Sequence, residues 1–552
     1  MGLILNLLLK FYGVSLERRV SVRLFCIYHF TRYGACFAYM IEYRNAISKV
    51  VCYGMNGLIV NNLINEPLDF DLKSGSKIFF IGIGGISMSG LAELAAAEGF
   101  VVAGSDMNAG PRTNHLKNSG MLIFKGHDAA HIKSFSPDLI VYTAAIPESN
   151  PELMFARENQ FHTIDRAAFL GWLNRQYKRV INISGTHGKT TTTAMCSLIL
   201  MQSEQDPTVH LGAELIQFAT TVRVGRPAEL MVSEACEYKR SFLKFFSTTA
   251  AILNIDYDHV DCFDSLEDVV DTFAEFASHV PEDGYLVVPA FDQNVVSMIS
   301  KTRKLIAARG RKMPELIWFG DDINRNDELG TRPQFNWRNL NYINGLPEFD
   351  VYFNNKYYGH FKLNIPGRHN VANAVAAIAC AHFHGAEPSA AEIALNNFQG
   401  AEGRFTHTGT YRGATVIADY AHHPAAAAAT LEAAANTEHN HIWVVFQPLT
   451  FSRTQKLFND YVAALRDCEL VLLAEIYSDR ETFRDYISSA DIAAEINKKG
   501  GHAEFHKSFA DIRARLDEVV NEGDMILVLG PENIRALADQ LTGRKDFMQK
   551  MD

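Results

Sequence analysis

Apolar and polar positions follow one another in a repeating order of short apolar run, turn and helical spacing. Lys77–Gly82 (KIFFIG) reads as a buried strand, and after a glycine cluster Ser87–Glu98 carries the small-residue spacing of a helix. Phe100–Gly104 is a second strand, ending at Ser105 and Asp106, and Leu139–Thr143 is a third. A second unit begins near Lys178, with strand Arg179–Ser184 (RVINIS), a turn from Gly185 and a helix over Thr191–Gln202. Leu230–Ser233, Ala250–Asn254 and Tyr285–Pro289 extend its sheet. The stretch 310–355 is rich in Asn, Arg and Asp; Val351–Ile365 is expected as antiparallel strands and Val371–Phe383 as a closing helix. A third unit starts near Gly403, with strands at Ala414–Tyr420, His441–Phe446, Glu469–Ala474 and Met525–Leu529 and an alanine-rich helix Pro424–Ala434. Alternation of this kind predicts an α/β protein of parallel sheets covered by helices. The expected division is 75–177, 178–400 and 401–552, after an extension 1–54.

Composition narrows the function. With 47% hydrophobic and 21% charged residues over 552, the chain reads as globular and has room for roughly three or four domains of about 150 residues. A net charge of -11 argues against a general nucleic-acid binder and leaves local phosphate sites open. The 8 cysteines form no C-x-x-C pair, which removes zinc-finger and thioredoxin chemistry and fits reduced thiols in the cytoplasm. In the extension, the apolar run Met1–Leu9 is shorter than the roughly 20 residues a membrane helix takes, and no positive charge precedes it as in a signal peptide. No stable membrane insertion is expected. The extension is then an interfacial anchor, a regulatory segment or, the reading favoured, translated upstream sequence before Met55.

The strongest motif is Gly185-Thr186-His187-Gly188-Lys189-Thr190-Thr191, entered by a strand and left by a helix. Backbone N–H groups of such a loop face phosphate oxygens at a helix N-terminus. Lys189 would reach the outer phosphates of ATP and the Thr190 hydroxyl would sit on Mg²⁺, although Ile183 stands where the usual loop has its first glycine. A second cluster, Gly82, Gly84, Gly85 and Gly90, follows a strand and opens a helix, with Asp106 ending the next strand. It resembles a dinucleotide fingerprint with Ser87 at its third glycine position, and fits a nucleotide diphosphate. Glu234 and His259 follow strand ends, and with Thr190 they make a candidate metal set crowded by Asp256, Asp258 and Asp261. Pro366–Asn370 precedes a helix, Arg404 stands at an expected hinge, and Asp419–Pro424 (DYAHHP) ends a strand. Arg453 and Arg480 lie at later strand ends, where a guanidinium suits a carboxylate or merely a solvated helix start.

Taken in order, FIGIGGISMSGLAE, GSDMN, TAAIPESNPEL, SGTHGKTTTT, SEACEYKRSFL, NIDYDHVDCF, GRHNVANAVAA, GRF, DYAHHP and FQPLTFSRT resemble the Mur ligase family from about Lys77 to Leu541. The resemblance implies three domains: a Rossmann-like UDP-binding domain, a central P-loop ATPase-type α/β domain and a C-terminal Rossmann-like domain. It implies ATP and Mg²⁺ as cofactors, and UDP-N-acetylmuramate and L-alanine as substrates joined through an acyl phosphate. It further implies that Gly185–Thr191 hold the ATP phosphates, that Asn370 contacts adenine, and that Arg404 and Asp419 contact ATP. Thr190, Glu234 and His259 match metal and substrate positions, and Tyr420, His422 and Arg453 lie near the amino acid. Gly82, Gly84, Gly85, Ser105 and Asp106 fall on the UDP side. Two positions depart from the family pattern: Leu449 replaces a usual histidine, and Cys236 stands where many relatives have aspartate. The nearest rival within the class is a ligase adding a recycled peptide to the same sugar. A nicotinamide oxidoreductase would rest on Gly82–Gly90 alone, and a silent nucleotide-binding protein would not need Lys189, Glu234 and His259 together.

Overall fold

The computed structural model describes residues 72–544 apart from 144, 216, 219, 322–332, 479–480 and 482–485, together with four strands between residues 23 and 61. Met1–Phe70 forms a unit of its own, and its strands Arg23–Thr31, Gly34–Tyr43, Ala46–Gly54 and Gly57–Asn61 pair in sequence order as an antiparallel sheet. Arg480 lies outside the described residues.

The second unit, Asp71–Asp552, is a three-domain α/β fold built on three sheets. The first sheet is parallel, in the order Leu122–Lys125, Val101–Asp106, Lys77–Ile81, Leu139–Tyr142, Thr163–Asp165. Its chain runs outward from Lys77–Ile81 and then returns to the other side of it. That reversal leaves a crevice beyond the strand ends, the usual ligand position in open α/β sheets.

The central sheet has ten strands, and its parallel core runs Thr208–Leu215, Leu230–Glu234, Arg179–Ser184, Thr249–Ile252, Tyr285–Pro289, Glu315–Asp321. These are short, almost wholly buried apolar runs, as strands covered on both faces require. The expected antiparallel segment is present as Leu346–Phe353 paired with Lys356–Lys362. Buried Asn182 ties the middle of the sheet: its amide donates to the Phe246 carbonyl at 2.7 Å and the Ser247 hydroxyl at 2.8 Å, and its Oδ1 accepts from Ser233. The helix after the loop runs Lys189–Gln202, two residues earlier than its apolar spacing predicts, because Gly188 takes the turn at φ 85°.

The third sheet runs Thr406–Tyr411, Ala414–Asp419, Met525–Leu529, Ile442–Phe446, Leu470–Ala474, Ala503–His506, parallel apart from its first strand. Among the described residues no helix is long and apolar enough to cross a membrane.

Candidate functional site

The strand order concentrates the chemistry. Arg179–Ser184 lies between Leu230–Glu234 and Thr249–Ile252, so the glycine loop leaves the sheet flanked by Glu234 on one side and Asn254–His259 on the other. The loop is shaped by its glycines. A Cβ on Gly188 would sit 2.4 Å from Asn373 Oδ1, and one on Gly185, at φ 137°, would sit 3.0 Å from the Leu253 side chain. Asn254 pins the turn from both ends: its Oδ1 accepts the His187 N–H at 2.8 Å and its amide donates to the His187 carbonyl at 3.0 Å. The Thr186 hydroxyl accepts the Asp256 N–H at 2.9 Å.

Lys189 is folded back onto this loop. Its ammonium donates to the carbonyls of Gly185 and Thr186 and to Glu237 Oε2 at 2.9 Å. Burial alone would lower the Lys189 pKa, but the Glu237 carboxylate holds it above the ordinary lysine value. Glu237 is 2% exposed and also faces His259 Nε2 at 3.6 Å. Glu237 lies within the SEACEYKRSFL motif and holds the phosphate-loop lysine in place. Its signal was available as a second carboxylate three positions beyond Glu234, on the turn that follows the strand.

Thr190, Glu234 and His259 are gathered around this cluster, though not as one closed ligand set. The Glu234 carboxylate accepts the Gly212 N–H at 2.7 Å. Burial raises its pKa, offset by Gly212, the Thr190 hydroxyl, Arg404 and Lys189. His259 joins through Glu237, at φ 49°, with its Nδ1 buried and without a hydrogen-bond partner among the described residues. Burial lowers its pKa, so the ring is neutral near pH 7 with a lone pair to offer. A carboxylate, a hydroxyl and a neutral imidazole are ligand types that suit a divalent cation, here gathered around the Lys189–Glu237 pair. His187, Asp256 and His423 also converge within 4.8 Å. There, however, His423 Nδ1 accepts the Ala425 N–H at 3.2 Å and Nε2 faces the Tyr257 carbonyl at 3.3 Å, so both its ring nitrogens are in use.

The third domain closes over the same loop. Arg453 Nη2 meets Asp258 Oδ1 at 2.6 Å, and both side chains are buried. Burial by itself would raise the Asp258 pKa, yet Arg453 keeps it well below the usual carboxylate range. Arg453 Nε and Nη1 are buried with no hydrogen-bond partner among the described residues, which leaves two donors, one on each side of the Asp258 contact, for an incoming anion. His422 approaches this pair; burial and the Arg453 charge push its pKa well down, so it too is neutral. Its Nδ1 lies 2.9 Å from the Tyr420 carbonyl. Arg404 stacks its guanidinium 5.0 Å from the centre of the Tyr420 ring. Asp419 accepts the Phe405 N–H at 2.9 Å, and burial raises its pKa against the pull of Arg404. Arg112, Glu214, Glu402, Arg404, Asp419 and Tyr420, from all three domains, line a cavity of about 430 Å³.

Asn370 is buried beside the loop, but its side chain is occupied. Its amide donates to the Pro366 carbonyl at 2.7 Å and its Oδ1 accepts from Asn373 at 3.2 Å. In the first domain, Gly82 takes φ 81°, and the Gly84 N–H donates to Asp106 Oδ2 at 2.9 Å. Gly85 opens the helix Ile86–Ala97 without a side-chain cap. Gly90 serves a different purpose from a phosphate turn: a Cβ there would lie 2.6 Å from Val222 of the central domain. Ser105 is fully buried and donates to Glu152 at 2.6 Å, so its hydroxyl faces the domain interior.

Comparison with known proteins follows this order along the chain. Residues 77–178 match the family described as "Mur ligase family, catalytic domain", 183–381 the "Mur ligase middle domain" and 403–531 the "Mur ligase, glutamate ligase domain". A UDP-N-acetylmuramate–L-alanine ligase of Clostridium acetobutylicum is 40% identical over 479 residues, covering 86% of this chain and 100% of that protein. The protein of the same name from Caldanaerobacter subterraneus is 38% identical, covering 86% and 98%. Among solved structures, the UDP-N-acetylmuramate–alanine ligase of Thermotoga maritima matches with a TM-score of 0.67 at 26% identity, over 86% of this chain and 100% of that one.

Proposed function

Because the chain belongs to the Mur ligase family, we propose that it joins L-alanine to the lactyl carboxylate of UDP-N-acetylmuramate at the cost of ATP, in the cytoplasm, as a step of peptidoglycan precursor synthesis. Relatives of that activity, at about 40% identity over their full length, support this substrate pair. The observation that carries the chemistry is Lys189 held between loop carbonyls and Glu237, with an arginine of another domain that keeps two donors unpaired among the described residues. A carboxylate cannot be condensed with an amine until it carries a good leaving group. ATP supplies that group: the carboxylate oxygen attacks the γ-phosphorus, ADP leaves, and the acyl phosphate then accepts the amine and loses phosphate.

In this reading residues 75–177 hold the UDP-sugar, 178–400 hold ATP, and 401–552 hold the amino acid. Gly185–Thr191 surround the phosphates, and Lys189 leaves a loop carbonyl to meet the transferred phosphoryl group. Thr190, Glu234 and His259 would hold Mg²⁺, which shields the phosphate charge when bound. Arg404 and Asp419 reach ATP from the hinge, with Asn370 near its base. Arg453 takes the alanine carboxylate on its free donors, Tyr420 lines the approach, and neutral His422 accepts the proton that the amine must lose.

The test is phosphate release from ATP by the purified protein. Release should require UDP-N-acetylmuramate and L-alanine together, and Lys189→Ala should abolish it while UDP-sugar binding survives. Release that proceeds without the UDP-sugar, or a Lys189→Ala protein with its rate intact, would defeat the reading.

A further inference from the structure

Arg166 has no role in the chemistry described so far, and its surroundings are unusual for an arginine. It is the first residue of the helix Arg166–Asn174, directly after the strand Thr163–Asp165. That puts it at the ligand end of the first sheet, the same end from which the glycine turn Gly82–Gly85 leaves. Its Nη1 donates to the Ser87 hydroxyl at 3.0 Å, one residue inside the uncapped helix that follows that turn. Ser87 Oγ in turn lies 3.0 Å from His210 Nε2, on the central-domain strand Thr208–Leu215. Burial, reinforced by the Arg166 charge, pushes the His210 pKa down to about 3, so the ring is neutral and shares a hydrogen bond with the Ser87 hydroxyl. The guanidinium is therefore oriented by a relay that spans two domains.

What it lacks is an anion. Among the described residues no carboxylate reaches ion-pair distance of Arg166, and burial lowers its pKa. The two groups that favour its charge are poor partners. Cys236 carries a thiol, which offers no carboxylate oxygen for a bidentate pair with the guanidinium. Asp165 is already taken: it pairs with Lys244 and accepts the N–H groups of Ala167 and Ala168. A partly buried arginine with no counter-ion among the described residues is best satisfied by an anionic ligand.

We propose that Arg166 is a diphosphate-binding residue, held by Ser87 and His210 to grip the phosphates of the UDP-sugar above the Gly82–Gly85 turn. This rests on the reading that the first domain binds a UDP-sugar. It adds a specific contact made by a side chain outside the glycine turn. A guanidinium suits this task because its planar fork can bond two phosphate oxygens at once, while the uncapped helix start offers N–H groups to the same charge.

Calorimetric titration of the full-length protein with UDP and with UMP tests it. The wild type is expected to prefer UDP, and Arg166→Gln to weaken UDP by about 10- to 100-fold with UMP affected less. The UDP:UMP preference should therefore collapse, ATP affinity should stay unchanged as the check on folding, and Arg166→Lys should recover part of the preference. An Arg166→Gln protein that binds ATP and keeps the full UDP:UMP preference would overturn the assignment. If the wild type itself bound neither UDP nor UDP-N-acetylmuramate, the ligase reading would fall and this inference with it; a wild type that turns over beside an unaffected variant removes Arg166 alone.

Discussion

Glu237→Gln removes one charge and almost no volume from beside the phosphate loop, and its consequences can be worked through. At 2.9 Å the attraction between Lys189 and Glu237 is about 6 kcal/mol at an effective dielectric of about 20. That is a ceiling, since both groups also lose hydration. Breaking a buried pair by deleting one partner costs about 3–5 kcal/mol, and the glutamine oxygen can still accept a hydrogen bond worth about 1 kcal/mol. The expected loss is therefore about 2–4 kcal/mol, a shift of about 1 M or more in the urea midpoint of the central domain. A second readout separates this from general damage. Lys189 has its pKa raised in the folded protein, so its contribution to stability is full below the ordinary lysine pKa and is lost as pH rises through the folded value. In Glu237→Gln burial is unopposed by that carboxylate, and the Lys189 pKa falls. The alkaline limb of kcat/KM should move to lower pH, and stability should decline earlier on the alkaline side. A variant with an unmoved midpoint and an unmoved alkaline limb would show that Glu237 does not hold Lys189.

Three further outcomes follow from the same geometry. Gly188→Ala should lose nucleotide binding in a fluorescent-ATP titration, because the new Cβ meets Asn373 Oδ1 at 2.4 Å and the left-handed backbone costs about 1–2 kcal/mol. Arg453→Ala should raise KM for alanine about 10- to 100-fold with little change in KM for ATP, since it removes a guanidinium with two free donors. Asp258 contributes stability above its unfolded pKa that is lost as pH falls through its depressed folded value; Asp258→Asn should remove that component from acid unfolding followed by circular dichroism.

The fold was legible because its strands are apolar runs and its turns are glycines, both of which act locally. The loop Gly185–Thr191 needed only its own residues to be read as a phosphate turn at a helix start. Ser105 shows where such reading stops. A residue ending a strand that is covered on both faces has no alternation to reveal its direction, and here the hydroxyl turns inward to Glu152. Glu237 and Asn254 were hidden for another reason. Each acts on a loop residue 48 or 67 positions away, and only the parallel pairing of their strands with Arg179–Ser184 brings them near. Arg166 was harder still, since it becomes notable only through what fails to surround it.

The seam between the central and C-terminal domains has a composition that bears on turnover. Arg453 meets Asp258, Lys456 donates to the Tyr257 hydroxyl and the Val260 carbonyl at 3.1 Å each, and His423 faces the Tyr257 carbonyl. Every one of these groups can exchange its partner for water, so the net stabilisation is about 0.5–1.5 kcal/mol for each neutral bond and more for the charged pair. An apolar seam of the same extent would lose burial on opening with nothing to replace it. Gly400 and Gly403, at φ 89° and 73°, lie on the connection into the third domain, where such dihedrals cost a glycine little. A ligase must admit three substrates and release three products through this seam. Contacts that hold the closed geometry while costing only a few kcal/mol to undo fit that cycle, and the unpaired atoms of Arg453 and His259 put the missing part of the closing energy in the ligands themselves.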